Sequence, residues 1–186
     1  MRWSFKAHAA FAGGLSSLLL LAAAIRALLP GDVALPGARP LMVAGFACVF
    51  PLFSVAIVRM TRVRSTRAMN ALALRRLPVA VRTGLGVLFI GGIALSFAAS
   101  ARTGGLSDAE VRDGRYYALD DARPTHHVIE ISRRQYEASR AAEEQAGLAG
   151  AAAFLGAAAG LALLGGELRR GPAAVERDGA PSPTAG

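Results

Sequence analysis

The chain has 186 residues, 53% of them hydrophobic, and a formal net charge of +8. A soluble domain of that length is conceivable, but the apolar residues are gathered in long uncharged runs, which argues for membrane spans instead. One cysteine, Cys48, rules out an intramolecular disulfide. Twenty Arg against one Lys sit mainly beside apolar runs, which favours a membrane, and the basic block Arg59–Arg82 has no interleaved aromatic residues, which speaks against nucleic-acid readout. The wealth of Ala, Gly and Arg fits a high-GC bacterial genome.

Met1–His8 mixes Arg2, Lys6 and His8 with Trp3 and Phe5, a composition suited to a membrane interface. Ala9–Leu29 is the first apolar run, interrupted only by Arg26 near its end. A basic start before an apolar run also describes a secretory signal peptide. The length of the run and the poor cleavage context Ala24-Ile25-Arg26 favour a retained helix, which Pro30-Gly31 should stop.

Leu41–Val58 is a second run without charge. Pro51 inside it predicts a kink, read either as an ordinary transmembrane proline or as a hinge lining a cavity. Arg59–Arg82 then holds Arg59, Arg62, Arg64, Arg67, Arg75, Arg76 and Arg82 and no acid. Such a block fixes its loop in the cytoplasm. Arg59, Arg62, Arg64, Arg67, Arg75 and Arg76 are also the candidate contacts for anionic lipids. Ser65–Leu77 reads as a short surface helix ended by Pro78.

Val79–Ala101 is the third span. Gly92, Ser96 and Ser100 recur every four residues, and Gly156 and Gly160 repeat the device in the fourth span. Small residues at that spacing allow close helix packing. Contacts within the bundle are the first expectation, contacts between copies the second.

Ala101–Gln145 carries seven Arg and nine acidic residues, a mixed charge unlike the preceding basic block. Ser107-Asp108-Ala109-Glu110 has the form of a capping box and predicts a turn of helix over Asp108–Arg112. Gly114–Leu119 and His126–Ile131 are rich in aromatic and β-branched residues and read as the strands of a hairpin. Asp120–Thr125 forms its loop. Ser132-Arg133-Arg134-Gln135 predicts a second capping box, with Ile131 and Tyr136 placed as a hydrophobic staple. Ile129, Ile131, Tyr136 and one of Tyr116 and Tyr117 should form a small core. From Arg133 a helix with no breaker should run through the uncharged stretch Ala146–Gly166. Gly171–Gly186 reads as a disordered tail.

The expected fold is all-α membrane. It is a four-transmembrane-helix bundle with a small extracytoplasmic β-hairpin and a long helix continuing into the fourth span. Residues 1–100 hold the first three spans with the basic cytoplasmic loop 59–82. Residues 101–145 hold the hairpin and helix extension, 146–168 the fourth span, and 169–186 the tail. Placing the arginine block inside puts both termini in the cytoplasm of a bacterial inner or plasma membrane.

No Asp or Glu lies inside a span, which argues against a self-contained ion- or proton-driven carrier. His126 and His127 point to opposite faces of a strand and are poor joint ligands for one metal ion. Asp113, Asp120 and Asp121 read as solvated turn residues before a cation site. No catalytic grouping, phosphate loop or cofactor motif is visible, so no enzyme, metal or cofactor is expected. Tyr116, Tyr117 and His126 are the candidate partner-binding residues of a scaffold or accessory subunit. The alternatives are a small oligomeric transporter or channel with Pro51 along its path, and an envelope sensor. The bilayer, anionic lipids, and a membrane protein partner or second copy are the expected partners.

Arg112-Asp113-Gly114-Arg115-Tyr116-Tyr117, followed by Glu130-Ile131-Ser132-Arg133-Arg134-Gln135-Tyr136-Glu137, resembles a pattern in small uncharacterised four-span bacterial membrane proteins, especially actinobacterial ones. The resemblance covers about Arg112–Glu144. It implies membrane location and an exposed hairpin, and brings no activity, ligand or catalytic residue with it.

Overall fold

In the computed structural model, residues 2–30, 37–62, 66–121 and 127–169 are described. They form α1 (Arg2–Leu28), α2 (Ala38–Thr61), α3 (Arg67–Arg76), α4 (Val79–Arg102), β1 (Leu106–Arg112), β2 (Arg115–Asp120), β3 (His127–Ile131) and α5 (Arg133–Leu168). Helices α1, α2, α4 and α5 are each long and apolar enough to cross a membrane.

Helix α5 is the axis of the molecule. Its 36 residues run unbroken, about 54 Å at 1.5 Å per residue. Ala and Gly dominate its second half, so the other helices approach its backbone closely. Leu148, Ala149, Ala151, Ala152 and Leu155 are buried against Leu19, Ala22 and Ala23 of α1 and Ala38 and Val49 of α2. A Cβ on Gly92 of α4 would fall 2.6 Å from the Ala149 carbonyl oxygen. Ser16 donates a hydrogen bond to the Ala152 carbonyl at 2.6 Å, and Ser96 donates to the Ala146 carbonyl at 3.2 Å. The small-residue faces of the third and fourth spans thus serve contacts within the chain.

Helices α1 and α5 form the central pair, and α2 and α4 each pack against both. The outer sides of α2 and α4 stay apolar and uncovered, as at Phe50, Ile57, Ile90 and Phe97. In water such a surface would drive association; it suits an apolar medium. Pro51 lies on this uncovered side of α2. Cys48 is a half-buried free thiol.

The helices alternate in direction, which sorts the loops between two ends. Phe5 of α1 rests on Gly165 and Gly166 of α5, and Arg59 at the end of α2 reaches Ser4. The start of α1, the end of α2 and the end of α5 therefore share one end. Helix α3 packs against α5. Thr66 caps it by accepting from the Met69 N–H, so the helix starts at Arg67, two residues inside the expected start at Ser65, and Pro78 follows its last turn, as expected. The sheet crowns the opposite end, where α1 and α4 finish and α5 begins.

The element at this end is a three-stranded antiparallel sheet in the order β1-β2-β3, so the expected hairpin gains a strand. Ser107–Glu110 opens no helix; it lies within β1. The deciding signal is Asp113-Gly114. With φ of 50° and 77° these two residues take the left-handed conformations of a tight hairpin turn, and they return β1 directly onto β2. Ladder bonds along two strands outweigh a capping box that would start only one helical turn. The register shifts between Ser107 and Glu110, with Asp108 at φ 48°, which marks a bulge.

Ala109, Ala118 and Ile131 are the buried centre of this unit, with Leu106, Tyr116 and Tyr136 packed around them. Ile129 stays 37% exposed, contrary to expectation. It lies on edge strand β3, and only Ile131, beside the start of α5, remains covered. The capping box at Ser132 is complete: its hydroxyl accepts from the Gln135 N–H, and Gln135 accepts from the Ser132 N–H at 2.9 Å.

Candidate functional site at the sheet end of the bundle

Strand alternation splits Tyr116 from Tyr117. Tyr116 turns towards α5, its ring 4.9 Å from that of Tyr136. Tyr117 turns outward, where it pairs across the sheet with Glu110 on one side and Glu130 on the other. Leu119 and Val128 share this outward face, as does Arg115, which pairs with Glu130 at 3.4 Å. The two tyrosines therefore cannot serve one surface together. His126 and residues 122–125 of the expected loop lie outside the described residues.

Beneath the sheet lies a polar cluster that the sequence reading passed over. Arg26 of α1 is buried, 3.6 Å from the Glu144 carboxylate of α5, and also donates to the Pro30 carbonyl. Arg102 of α4 donates to the Ala27 carbonyl of α1 and to Gln145 of α5. Buried Gln145 in turn donates to the Leu95 carbonyl of α4 at 3.1 Å. Two residues before Gln145, Glu143 accepts from Arg140 at 3.0 Å and from the Ala109 N–H at 3.2 Å. Ala109 sits at the bulge, where the ladder is disrupted, so Glu143 satisfies an amide that would otherwise cost about 1–3 kcal/mol to bury. Together these bonds tie α1, α4, β1 and α5 at one level.

The signal for this cluster existed in the sequence. Arg26 ends one apolar run and Glu144 begins another, and two antiparallel spans bring those ends to the same depth. Reading each charge alone, as a snorkelling side chain or a solvated helix residue, hides the pair.

At the opposite end, the arginines expected to meet lipid have different surroundings. Arg59 is half-buried: its guanidinium lies 4.9 Å from the centre of the Phe5 ring and donates to the Ser4 hydroxyl at 2.9 Å. Arg169 approaches the same ring at 5.3 Å. Each such contact is worth about 0.5–1 kcal/mol at an exposed site. Arg62, Arg75 and Arg76 are exposed. Arg64 and the expected disordered tail Gly171–Gly186 lie outside the described residues, as does the side chain of Arg67.

Among the described residues no three His, Cys, Asp or Glu side chains gather as a metal site would require. What these residues define is a helical bundle of four potential membrane spans with a small sheet clasped to one end. No protein-family model matches the chain, and neither the curated proteins nor the solved structures contain a significant match.

Proposed function

We propose that this chain is a multi-pass protein of the bacterial plasma membrane that acts as a non-enzymatic scaffold or accessory subunit, docking a membrane-protein partner on its external sheet. The arginine-rich end faces the cytoplasm with both termini, since Arg59, Arg62, Arg75, Arg76 and Arg169 gather there. The sheet end, of mixed charge, faces outward.

One observation carries the docking reading. Helix α5 is about 54 Å long against a hydrocarbon core of about 30 Å, and its protruding turns hold an ordered sheet through Tyr136, Glu143 and the Ser132 capping box. A small sheet held so firmly away from the bilayer presents a fixed surface. Its outward face has an aromatic centre, Tyr117, flanked by Glu110, Glu130 and Arg115, with Leu119 and Val128 beside it. That composition suits protein recognition: an amphipathic ring amid orienting charges. Tyr116 supports the surface from behind.

The test is affinity purification from native membranes in mild detergent, comparing the wild type with Tyr117→Ala and Glu130→Ala. A stoichiometric partner held by the wild type and lost from both variants is expected. Identical copurifying proteins in all three preparations would remove the sheet face from consideration.

A further inference from the structure

The end of the bundle far from the sheet holds two arginines that sequence position keeps apart. Arg59 closes α2 and Arg169 follows α5, 110 residues later, yet both guanidiniums lie over the single ring of Phe5, at 4.9 and 5.3 Å. We infer that Phe5, Arg59, Arg169 and Ser4 form a binding site for the phosphodiester headgroup of an anionic lipid.

The site is built rather than accidental. Phe5 is 9% exposed and wedged against Gly165 and Gly166, so the ring cannot drift. Arg59 is also fixed by two hydrogen bonds, to the Ser4 carbonyl at 3.3 Å and the Ser4 hydroxyl at 2.9 Å. Among the described residues neither guanidinium pairs with a carboxylate. Two cations held on one ring raise the local positive potential and favour an anion beside them. Guanidinium groups present the fork of donors that phosphate oxygens accept. Glu167 on α5 is itself engaged.

A lipid is the fitting source of the phosphate because apolar surface adjoins the site. Val55 and Val58 on α2 and Phe11 on α1 are 41%, 48% and 59% exposed, within two turns of Arg59 and Phe5. Acyl chains attached to a bound headgroup would cover them. A soluble phosphate would leave them bare.

This site rests on the membrane reading but not on partner docking at the sheet. The chain carries its own reporter, since its single tryptophan, Trp3, lies two residues from Phe5. The full-length protein is reconstituted in phosphatidylcholine vesicles with or without phosphatidylglycerol. Quenching of Trp3 by spin-labelled phosphatidylglycerol and by spin-labelled phosphatidylcholine gives their relative association. Wild type should prefer the anionic lipid. Arg59→Gln and Arg169→Gln should each reduce that preference about fivefold, and the double variant about thirtyfold. The single variants keep the test decisive should the double variant fail to assemble. Arg75→Gln/Arg76→Gln on α3 should leave the preference within twofold of wild type. An equal loss from that control would mean a diffuse basic surface and overturn the site. Displacement of the labelled lipid by inorganic phosphate at constant ionic strength would overturn the lipid assignment. Equal quenching by both lipids in wild type would overturn the site while leaving the membrane reading intact. Absence of quenching by either lipid would overturn both.

Discussion

Arg26 and Glu144 lie 3.6 Å apart beneath the sheet, the arginine side chain only 3% exposed and the glutamate 23%. They come from α1 and α5, so the pair joins the first and last long helices at the level where the sheet attaches. A buried guanidinium is costly unless its partners stay in place.

Replacing only one partner should therefore be worse than replacing both. Glu144→Gln is expected to destabilise the bundle by about 2 kcal/mol, less than for a fully buried pair because Glu144 keeps some solvent contact. Arg26→Met with Glu144→Met should recover most of that loss. Thermal unfolding in detergent measures both; a double variant weaker than Glu144→Gln would count against the pair as described.

Tyr136 should hold the sheet without holding the bundle. Its ring lies 4.9 Å from Tyr116, and both border the small core of Ala109, Ala118 and Ile131. Tyr136→Ala should cost about 2–3 kcal/mol locally. Amide exchange would then rise across β1, β2 and β3 while α1 and α2 keep their protection. Tyr136→Phe, which preserves the ring stacking, should leave exchange nearly unchanged.

Two glycines of the same helix should respond in opposite ways. A Cβ on Gly92 would lie 2.6 Å from the Ala149 carbonyl oxygen and 2.9 Å from the Ala153 Cβ, whereas one on Gly86 meets nothing within 4 Å. Gly92→Ala should force α4 away from α5 and cost about 1–3 kcal/mol. Gly86→Ala should be neutral or stabilise by up to about 1 kcal/mol through helix propensity. Melting temperatures of the two variants in one detergent decide this; similar values would mean that α4 does not pack through Gly92.

The unbroken α5 also fits an envelope sensor, in which movement of the sheet reaches the far end along one rigid rod. Inserting two Gly between Glu144 and Gln145 would turn the sheet by about 200° relative to the bundle. The clasps made by Arg26 and by Arg102 could not then both form. Any external-stimulus response that depends on this protein should disappear while the protein stays in the membrane. An unaltered response would eliminate rigid transmission.

Much of the architecture was legible because its causes are local. An uncharged run long enough to span needs no tertiary partner to be recognised, and four such runs are helices here. Ser132 and Gln135 satisfy each other's backbone within one turn, so the start of α5 could be read from four residues. Pro78 ended α3 for an equally local reason, the missing amide hydrogen. The error at Ser107–Glu110 shows where local reading fails. Two local signals competed there, the capping pattern and Asp113-Gly114, and pairing with β2 chose between them. The exposure of Ile129 depends on which strand is an edge, which alternation within that strand does not reveal.

The sequence by itself determined which segments are long and apolar enough to span, where α5 begins, and that one end of the molecule is rich in arginine, because hydropathy, capping and charge act over a few neighbouring residues. Only the tertiary structure decided that Arg26 meets Glu144, that Tyr116 and Tyr117 serve opposite faces, and that Arg59 and Arg169 share Phe5. Those relationships join residues from different elements. They arise from the antiparallel stacking of helices around α5 and from the pleat of the sheet, which set depth and direction for side chains far apart in the chain.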